Sequence, residues 1–264
     1  MAYETLLVEK SEAVATVTLN RPAKRNAISG QMLADFLQLF AELRTDLDTR
    51  FVIFTGGGTA FSAGADLTQT MAGESTAPPQ DMMRLQQLSG HDFIRNLENL
   101  EQITIAAVNG YCLGAGLVLA MGCDFRIASE NARFGVPETN IGMFFTWGST
   151  PRLTSLIGPA KAKEMIMTCD QIDAQEALRI GLANRVIPPE QLMDAVHEFI
   201  DKIASKGPLA TRMTKKLVNA ATAANFGDVY ICEPELVERL ALSPEPMEGI
   251  SAFIEKRKPN FSGR

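Results

Sequence analysis

Residues 110 to 122 read Gly-Tyr-Cys-Leu-Gly-Ala-Gly-Leu-Val-Leu-Ala-Met-Gly. Glycines at 110, 114, 116 and 122 stand among apolar residues, and the stretch holds no carboxylate, imidazole or amine. It follows Ile103–Val108, a run of buried-strand type, and its apolar half has the composition of a helix. A glycine turn between strand and helix presents unpaired N–H groups and the positive end of the helix dipole. Glycine also lets the backbone come close to a ligand. The segment therefore offers backbone amides, and a proton carrier has to come from elsewhere in the chain.

A second turn has the same grammar. Thr55-Gly-Gly-Gly-Thr-Ala-Phe-Ser-Ala-Gly-Ala-Asp-Leu67 follows the strand-like Phe51-Val-Ile-Phe-Thr and leads towards a helix. Two such turns aimed at one point would hold an oxyanion between two N–H groups. Neither contains the G-x-x-x-x-G-K-[ST] of a phosphate loop. Gly114 and Gly116 form G-x-G, but Leu119 stands where a dinucleotide fingerprint has its third glycine. Tight helix–strand packing at two glycine-rich corners is the alternative reading.

Outward from these turns, strands and helices alternate. Residues 4 to 9 and 13 to 19 read as strands, the second rich in β-branched residues and closed by Asn20-Arg21-Pro22. Ser29 is placed to cap a helix in which Met32, Leu33, Phe36, Leu39, Phe40 and Leu43 recur at helical spacing. Residues 59 to 79 read as a loop, a short helix and a polar, proline-containing link. A long amphipathic helix is expected from Gln80 to about Leu100, and a strand at Phe125-Arg-Ile-Ala. The alternation predicts an α/β fold. After about residue 190 the pattern is almost wholly helical: Val196, Phe199, Ile200 and Ile203 mark one helix, and Leu209 to Ala224 another. We place a boundary near residue 195, with a core at 1–195 and a helical region at 196–264.

Composition narrows the function classes. The chain has 264 residues, 46% of them hydrophobic, enough for one large domain or a domain with a smaller appendage. A net charge of −6 argues against a nucleic-acid partner. Cys112, Cys123, Cys169 and Cys232 form no C-x-x-C pair, and with only His91 and His197 beside them no zinc site is expected. Scattered single cysteines fit a reduced cytosol. Met1-Ala-Tyr-Glu-Thr carries no secretory signature, and the greasy run Leu117–Met121 is too short to span a bilayer. The expectation is a cytoplasmic protein with no metal, no membrane partner and no bound cofactor.

The sequence resembles the crotonase superfamily, also called the enoyl-CoA hydratase/isomerase family. The matching stretches are Leu19-Asn-Arg-Pro, Phe61-Ser-Ala-Gly-Ala-Asp-Leu, Ala106-Ala-Val-Asn-Gly-Tyr-Cys-Leu-Gly-Ala-Gly, Cys123-Asp and Phe134-Gly-Val-Pro-Glu-Thr-Asn-Ile-Gly. Ala174-Gln-Glu-Ala-Leu-Arg-Ile-Gly-Leu and Ser251-Ala-Phe-Ile-Glu-Lys-Arg-Lys-Pro-Asn-Phe complete a collinear set over nearly the whole chain. The resemblance implies a crotonase-like spiral of ββα turns with a helical C-terminal trimerisation region, assembled as a homotrimer or a dimer of trimers. It implies an acyl-CoA substrate, with coenzyme A present as part of the thioester. It implies that the thioester enolate is held by two backbone N–H groups, which here belong to Ala65 and Ala115. Gly64, Gly114 and Gly116 would give clearance for the thioester oxygen.

Hydratases of the family use two glutamates, one three residues beyond the second oxyanion amide and one in the F-G-x-P-E stretch. In this sequence the first position is Val118 and the second is Glu138. Addition of water normally uses both carboxylates to hold and activate it. A single carboxylate suits a different reaction, removal of a proton from C2 of a 3-enoyl-CoA and its return at C4. The resemblance therefore favours an isomerase. A hydratase working with one glutamate and a non-catalytic acyl-CoA-binding protein are the alternatives. A low-dielectric pocket would raise the Glu138 pKa and make it a better base; a solvated loop glutamate is the opposing picture.

The remaining candidates follow from the same likeness. Lys24 and Arg25 either meet CoA phosphates or are solvated charges. Ala63, Ala65, Asp66 and Leu67 match the stretch whose backbone lines the adenine and pantetheine path. Phe253 and Lys256 match C-terminal residues that can close the CoA site. No acid lies in Met143-Phe-Phe-Thr-Trp-Gly-Ser-Thr150, which argues against dehalogenase and hydrolase chemistry in the family. The aromatic run there either walls an acyl pocket or serves core packing or a subunit contact.

Overall fold

The computed structural model describes residues 3–67, 80–223, 242 and 244–260. The chain begins with an antiparallel pair, β1 (Leu6–Ser11) and β2 (Val14–Leu19). In β2 Ala15, Val17 and Leu19 are buried while their neighbours are not, the alternation expected of a half-buried strand. Helix α1 (Gly30–Leu43) follows, and the Ser29 hydroxyl accepts from the Met32 N–H at its start. Met32, Phe36, Leu39, Phe40 and Leu43 form its buried face. Strand β3 (Phe51–Gly56) then enters the sheet beside β2, parallel to it.

The next strands come in pairs. β3 is followed at once by the short β4 (Ala60–Ser62). β5 (Ile103–Val108) is followed by β6 (Tyr111–Leu113), and β7 (Phe125–Ser129) by β8 (Arg133–Gly135). The long members join a six-stranded sheet of order β1-β2-β3-β5-β7-β10, where β10 is Arg185–Ile187. The short members join a second sheet of order β4-β6-β8-β9, where β9 is Ile172–Asp173. This is the expected spiral: each turn lays one strand in each sheet. The corners are tight. A methyl group on Gly110 would lie 2.1 Å from the Thr59 carbonyl oxygen, so the turn from β5 to β6 requires glycine. The short strands were not legible in the sequence, because three residues carry no periodicity.

Helix α2 (Gln80–Glu98) packs along α1, and α3 (Ala115–Gly122) lies behind the small sheet. Phe36, Phe40 and Phe93 form an aromatic group with centroids 5.3–5.8 Å apart. The helices α4 (Ser149–Ile157), α5 (Pro159–Thr168) and α6 (Ala174–Arg179) follow. Helix α7 (Leu192–Ala204) covers the other face of the large sheet, with Leu192, Val196 and Ile200 against Ile53, Ile105 and Ile127. Each such side chain contributes about 1.5–3 kcal/mol by leaving water. Residue 195 lies inside α7. Helix α8 (Pro208–Ala223) is tied to the core by Lys215, whose ammonium donates to the Gln102 carbonyl at 2.7 Å and pairs with Asp124 at 2.9 Å. The last described helix is α9 (Glu245–Ile254).

The polar link and most of the short helix expected within residues 59–79 lie outside the described residues, as do Cys232, Ala224 and Phe261. Among the described residues no helix is long and apolar enough to cross a membrane. Nor does any group of three or more His, Cys, Asp and Glu there stand ready to hold a metal ion.

Candidate active site

The two glycine turns converge. Parallel strands β4 and β6 lie side by side and carry their following loops to the same edge. A methyl group on Gly64 would sit 3.2 Å from the Leu113 carbonyl oxygen and 3.8 Å from the Ala115 nitrogen. One on Gly114 would sit 3.7 Å from the Gly64 Cα. Gly64 has φ +103° and Gly114 has φ +48° with ψ −121°, conformations that disfavour any residue with a Cβ.

Residues 63 to 66 run alongside residues 25 to 28, and the pairing decides which amides remain open. Ala63 N–H donates to the Arg25 carbonyl, Ile28 N–H to the Gly64 carbonyl, and Asp66 N–H to the Ile28 carbonyl. The Ala65 N–H lies between these bonds and has no acceptor among the described residues. The Ala115 N–H likewise has none, since Ala115 is the first residue of α3 and no earlier turn exists to accept it. Ala65 and Ala115 are the residues to which the family resemblance assigns the oxyanion amides. The Ala63 and Asp66 amides are spent within the protein.

Holding this arrangement is Asn26, wholly buried and with φ +55°. Its amide donates to the Gly57 and Ala60 carbonyls at 2.9 and 2.7 Å, and its Oδ1 accepts from the Arg21 N–H at 3.0 Å. The Arg21 guanidinium donates to the Ala27 carbonyl and pairs with the Asp66 carboxylate at 2.8 Å. The Asp66 side chain is thus a buried anchor of the loop. Neither Asn26 nor Arg21 was singled out as a site residue from the sequence. The Asn-Arg-Pro stretch that precedes the turn was the available signal. Gly116 also differs from expectation. A methyl group there would lie 2.6 Å from the Ser62 Cβ, so its missing side chain serves the packing of α3 on β4 rather than clearance for a thioester.

Glu138 reaches the same place from another element. It opens a 3-10 helix, Glu138–Ile141, that follows β8. A methyl group on Gly114 would lie 2.7 Å from Glu138 Oε1, so the carboxylate stands directly over the second glycine turn. Oε2 is sealed from solvent and has no hydrogen-bond partner among the described residues. Burial pushes the carboxyl up from 4.5 to about 7, against a smaller opposing contribution from its own backbone N–H. The side chain is a carboxyl held near neutrality, not a solvated loop glutamate. Val118 lies one turn beyond Ala115 and is only 2% exposed, packed within the apolar cluster of α3. No acid stands there to share the site with Glu138.

The flanking candidates are distributed over the rim and the surface. Lys24 and Arg25 are exposed, and the Arg25 guanidinium stands 6.0 Å from the centre of the Tyr111 ring. Ala63 and Leu67 are half-buried on the same strip. Helix α9 packs against the 3-10 helix of Glu138: a methyl group on Gly249 would lie 2.3 Å from the Ile141 carbonyl oxygen. Phe253 and Lys256 at the end of α9 are exposed, Phe253 at 60%. In the Met143–Trp147 run, Phe145 is buried, and Trp147 lies edge-on to Phe93 with its ring against Gly90 of α2. Those two residues serve the core, while Met143 and Phe144 remain half-buried.

Comparison with known proteins accords with this geometry. The sequence profile of the family described as enoyl-CoA hydratase/isomerase matches residues 9–264. The chain is similar to a crotonyl-CoA hydratase of Syntrophomonas wolfei, 38% identical and covering 99% of each chain. It is also similar to a short-chain-enoyl-CoA hydratase of Clostridium acetobutylicum, 39% identical over 98% of this chain and 97% of that one. Among solved structures, an enoyl-CoA hydratase from Mycobacterium avium subsp. paratuberculosis superposes with a TM-score of 0.87 at 28% identity, covering 99% of this chain and 100% of that chain. With a profile match over nearly its whole length and relatives of this similarity, the chain belongs to the enoyl-CoA hydratase/isomerase family.

Proposed function

We propose that this acyl-CoA enzyme moves the double bond of a 3-enoyl-CoA into conjugation, with Glu138 as its single acid/base. The observation that carries the reading is one carboxylate over the Gly114 turn, its Oε2 sealed from solvent, with apolar Val118 where a second acid would stand. The thioester oxygen would lie between the Ala65 and Ala115 N–H groups, which stabilise the charge of the enolate as it develops. Glu138 takes a proton from C2, the electron pair moves into the enolate, and the same carboxyl returns the proton at C4. A carboxyl pushed to about 7 is a stronger base than an ordinary glutamate and still ionises near neutral pH. Coenzyme A enters as part of the substrate, with Lys24, Arg25, Phe253 and Lys256 as candidates for its contacts.

Hydration of a 2-enoyl-CoA is the second reading, and the names of the similar proteins favour it, because the relatives described above are called hydratases. The two are separated by supplying 3-enoyl-CoA and 2-enoyl-CoA and following conjugated-thioester absorbance. Formation of the conjugated product from 3-enoyl-CoA supports the first reading. Brisk hydration of 2-enoyl-CoA without isomerisation overturns it. Val118→Glu adds a check: the isomerase reading expects a gain in hydration, and a native one-glutamate hydratase expects little. Glu138→Gln should cost about 10²–10⁴ in turnover; background turnover in the unaltered protein would leave acyl-CoA binding without catalysis. The proposal extends to a homotrimer or a dimer of trimers in the cytoplasm, for which light scattering reads the assembly.

A further inference from the structure

The 3-10 helix that carries Glu138 is tethered by its next residue. Thr139 Oγ1 donates to the Ile166 carbonyl at 2.7 Å and stands 2.8 Å from Cys169 Sγ. Either group can donate in the Thr139–Cys169 contact, and the thiol also points at the Ile166 carbonyl, 3.8 Å away. Ile166 lies in the last turn of α5, where carbonyls have no helical partner. Cys169 ends that helix in the left-handed conformation, with φ +59°, which turns its thiol back towards Thr139. One hydroxyl therefore caps α5 and fastens the Glu138 segment to it. The segment also packs closely against α9, at Gly249 against Ile141 and Gly142 against Glu245.

We propose that Thr139 is a positioning residue, whose hydroxyl holds the 3-10 helix so that the Glu138 carboxylate stays over the Gly114 turn. Proton transfer needs the base within hydrogen-bond reach of the carbon-bound proton, and displacement of about 1 Å can cost on the order of 100-fold. Substrate binding does not depend on that alignment, because the binding candidates lie on other elements. The inference rests on the reading of Glu138 as the acid/base.

The test compares kcat and KM for the unaltered protein and for Glu138→Gln, Thr139→Val and Thr139→Ser, on whichever enoyl-CoA is turned over faster. Thr139→Val keeps the shape and removes the hydroxyl. It is expected to lower kcat by about 10-fold or more with KM within about 2-fold. Thr139→Ser restores the donor and should recover kcat to within about 3-fold of the unaltered protein. A kcat unchanged in Thr139→Val, or a serine variant as slow as the valine one, overturns the inference while leaving Glu138 in place. An active Glu138→Gln overturns the acid/base reading itself. If the valine variant does not fold, Thr139→Ala against Thr139→Ser makes the same comparison.

Discussion

Glu138→Gln should make the protein more stable relative to wild type as the pH rises, and the size follows from the burial of the carboxyl. In the folded protein the group is pushed from 4.5 to about 7, chiefly by desolvation. The folded state therefore binds the proton more tightly than the unfolded chain. Below pH 4.5 both states are protonated and no penalty exists. Between 4.5 and 7 the unfolded chain ionises first and wild-type stability falls. Above 7 the full penalty is present, about 3 kcal/mol at 1.36 kcal/mol per pH unit. Glutamine cannot ionise. It brings its own cost, a buried amide beside Gly114 and the unpartnered position of Oε2, about 1–3 kcal/mol and independent of pH. The diagnostic quantity is the change with pH of the stability difference, variant minus wild type. It should rise by about 3 kcal/mol between pH 4.5 and pH 8.5. Other titrating groups are common to both proteins and cancel. Urea unfolding at fixed protein concentration reads it, with Trp147 as reporter, since it is the sole tryptophan and packs on Phe93. A difference that stays flat within about 1 kcal/mol over that range would refute the claim that the carboxyl is held protonated by burial.

Three further outcomes follow from the site and its supports. Gly114→Ala forces a Cβ at φ +48° into 2.7 Å contact with Glu138 Oε1, and should abolish turnover and cost about 1–3 kcal/mol by urea unfolding. Asn26→Ala removes the side-chain donor to the half-buried Gly57 and buried Ala60 carbonyls; it should cost about 1–3 kcal/mol and slow turnover, read by thermal unfolding and kcat. Gly90→Ala places a methyl group 2.1 Å from the Trp147 ring, and should shift tryptophan fluorescence and destabilise by about 1–3 kcal/mol.

Local chemistry made several elements legible before any coordinates. Ser29 caps α1 because a hydroxyl before an apolar helical face satisfies an orphan N–H, and that pattern is local in sequence. β3 and β5 announced themselves as short buried runs between turn residues. The strands β4, β6 and β8 did not, because three residues of pairing depend on neighbours far away in the chain. Asn26 was equally silent: a buried asparagine in a left-handed turn looks like any loop residue until its two carbonyl partners are seen. The aromatic run at 143–147 was open between lining a pocket and filling the core, and Gly90 against Trp147 shows the core taking Trp147.

The sequence by itself determined that glycine-rich turns follow two buried-type strands, that position 118 carries no acid and that position 138 carries one. Those are statements about residue type at fixed spacing, and spacing along a strand–turn–helix is set locally. The tertiary structure alone decided which amides of this strip are spent, because residues 25–28 accept the Ala63 and Asp66 N–H groups and leave that of Ala65. It alone decided that Gly116 faces Ser62 rather than a ligand. It alone turned Glu138 from a loop glutamate into a carboxyl raised to about 7, since that requires the packed chain to shut water away from Oε2. Residue types travel with the chain, whereas solvent exclusion and unpaired donors exist only once distant segments have packed.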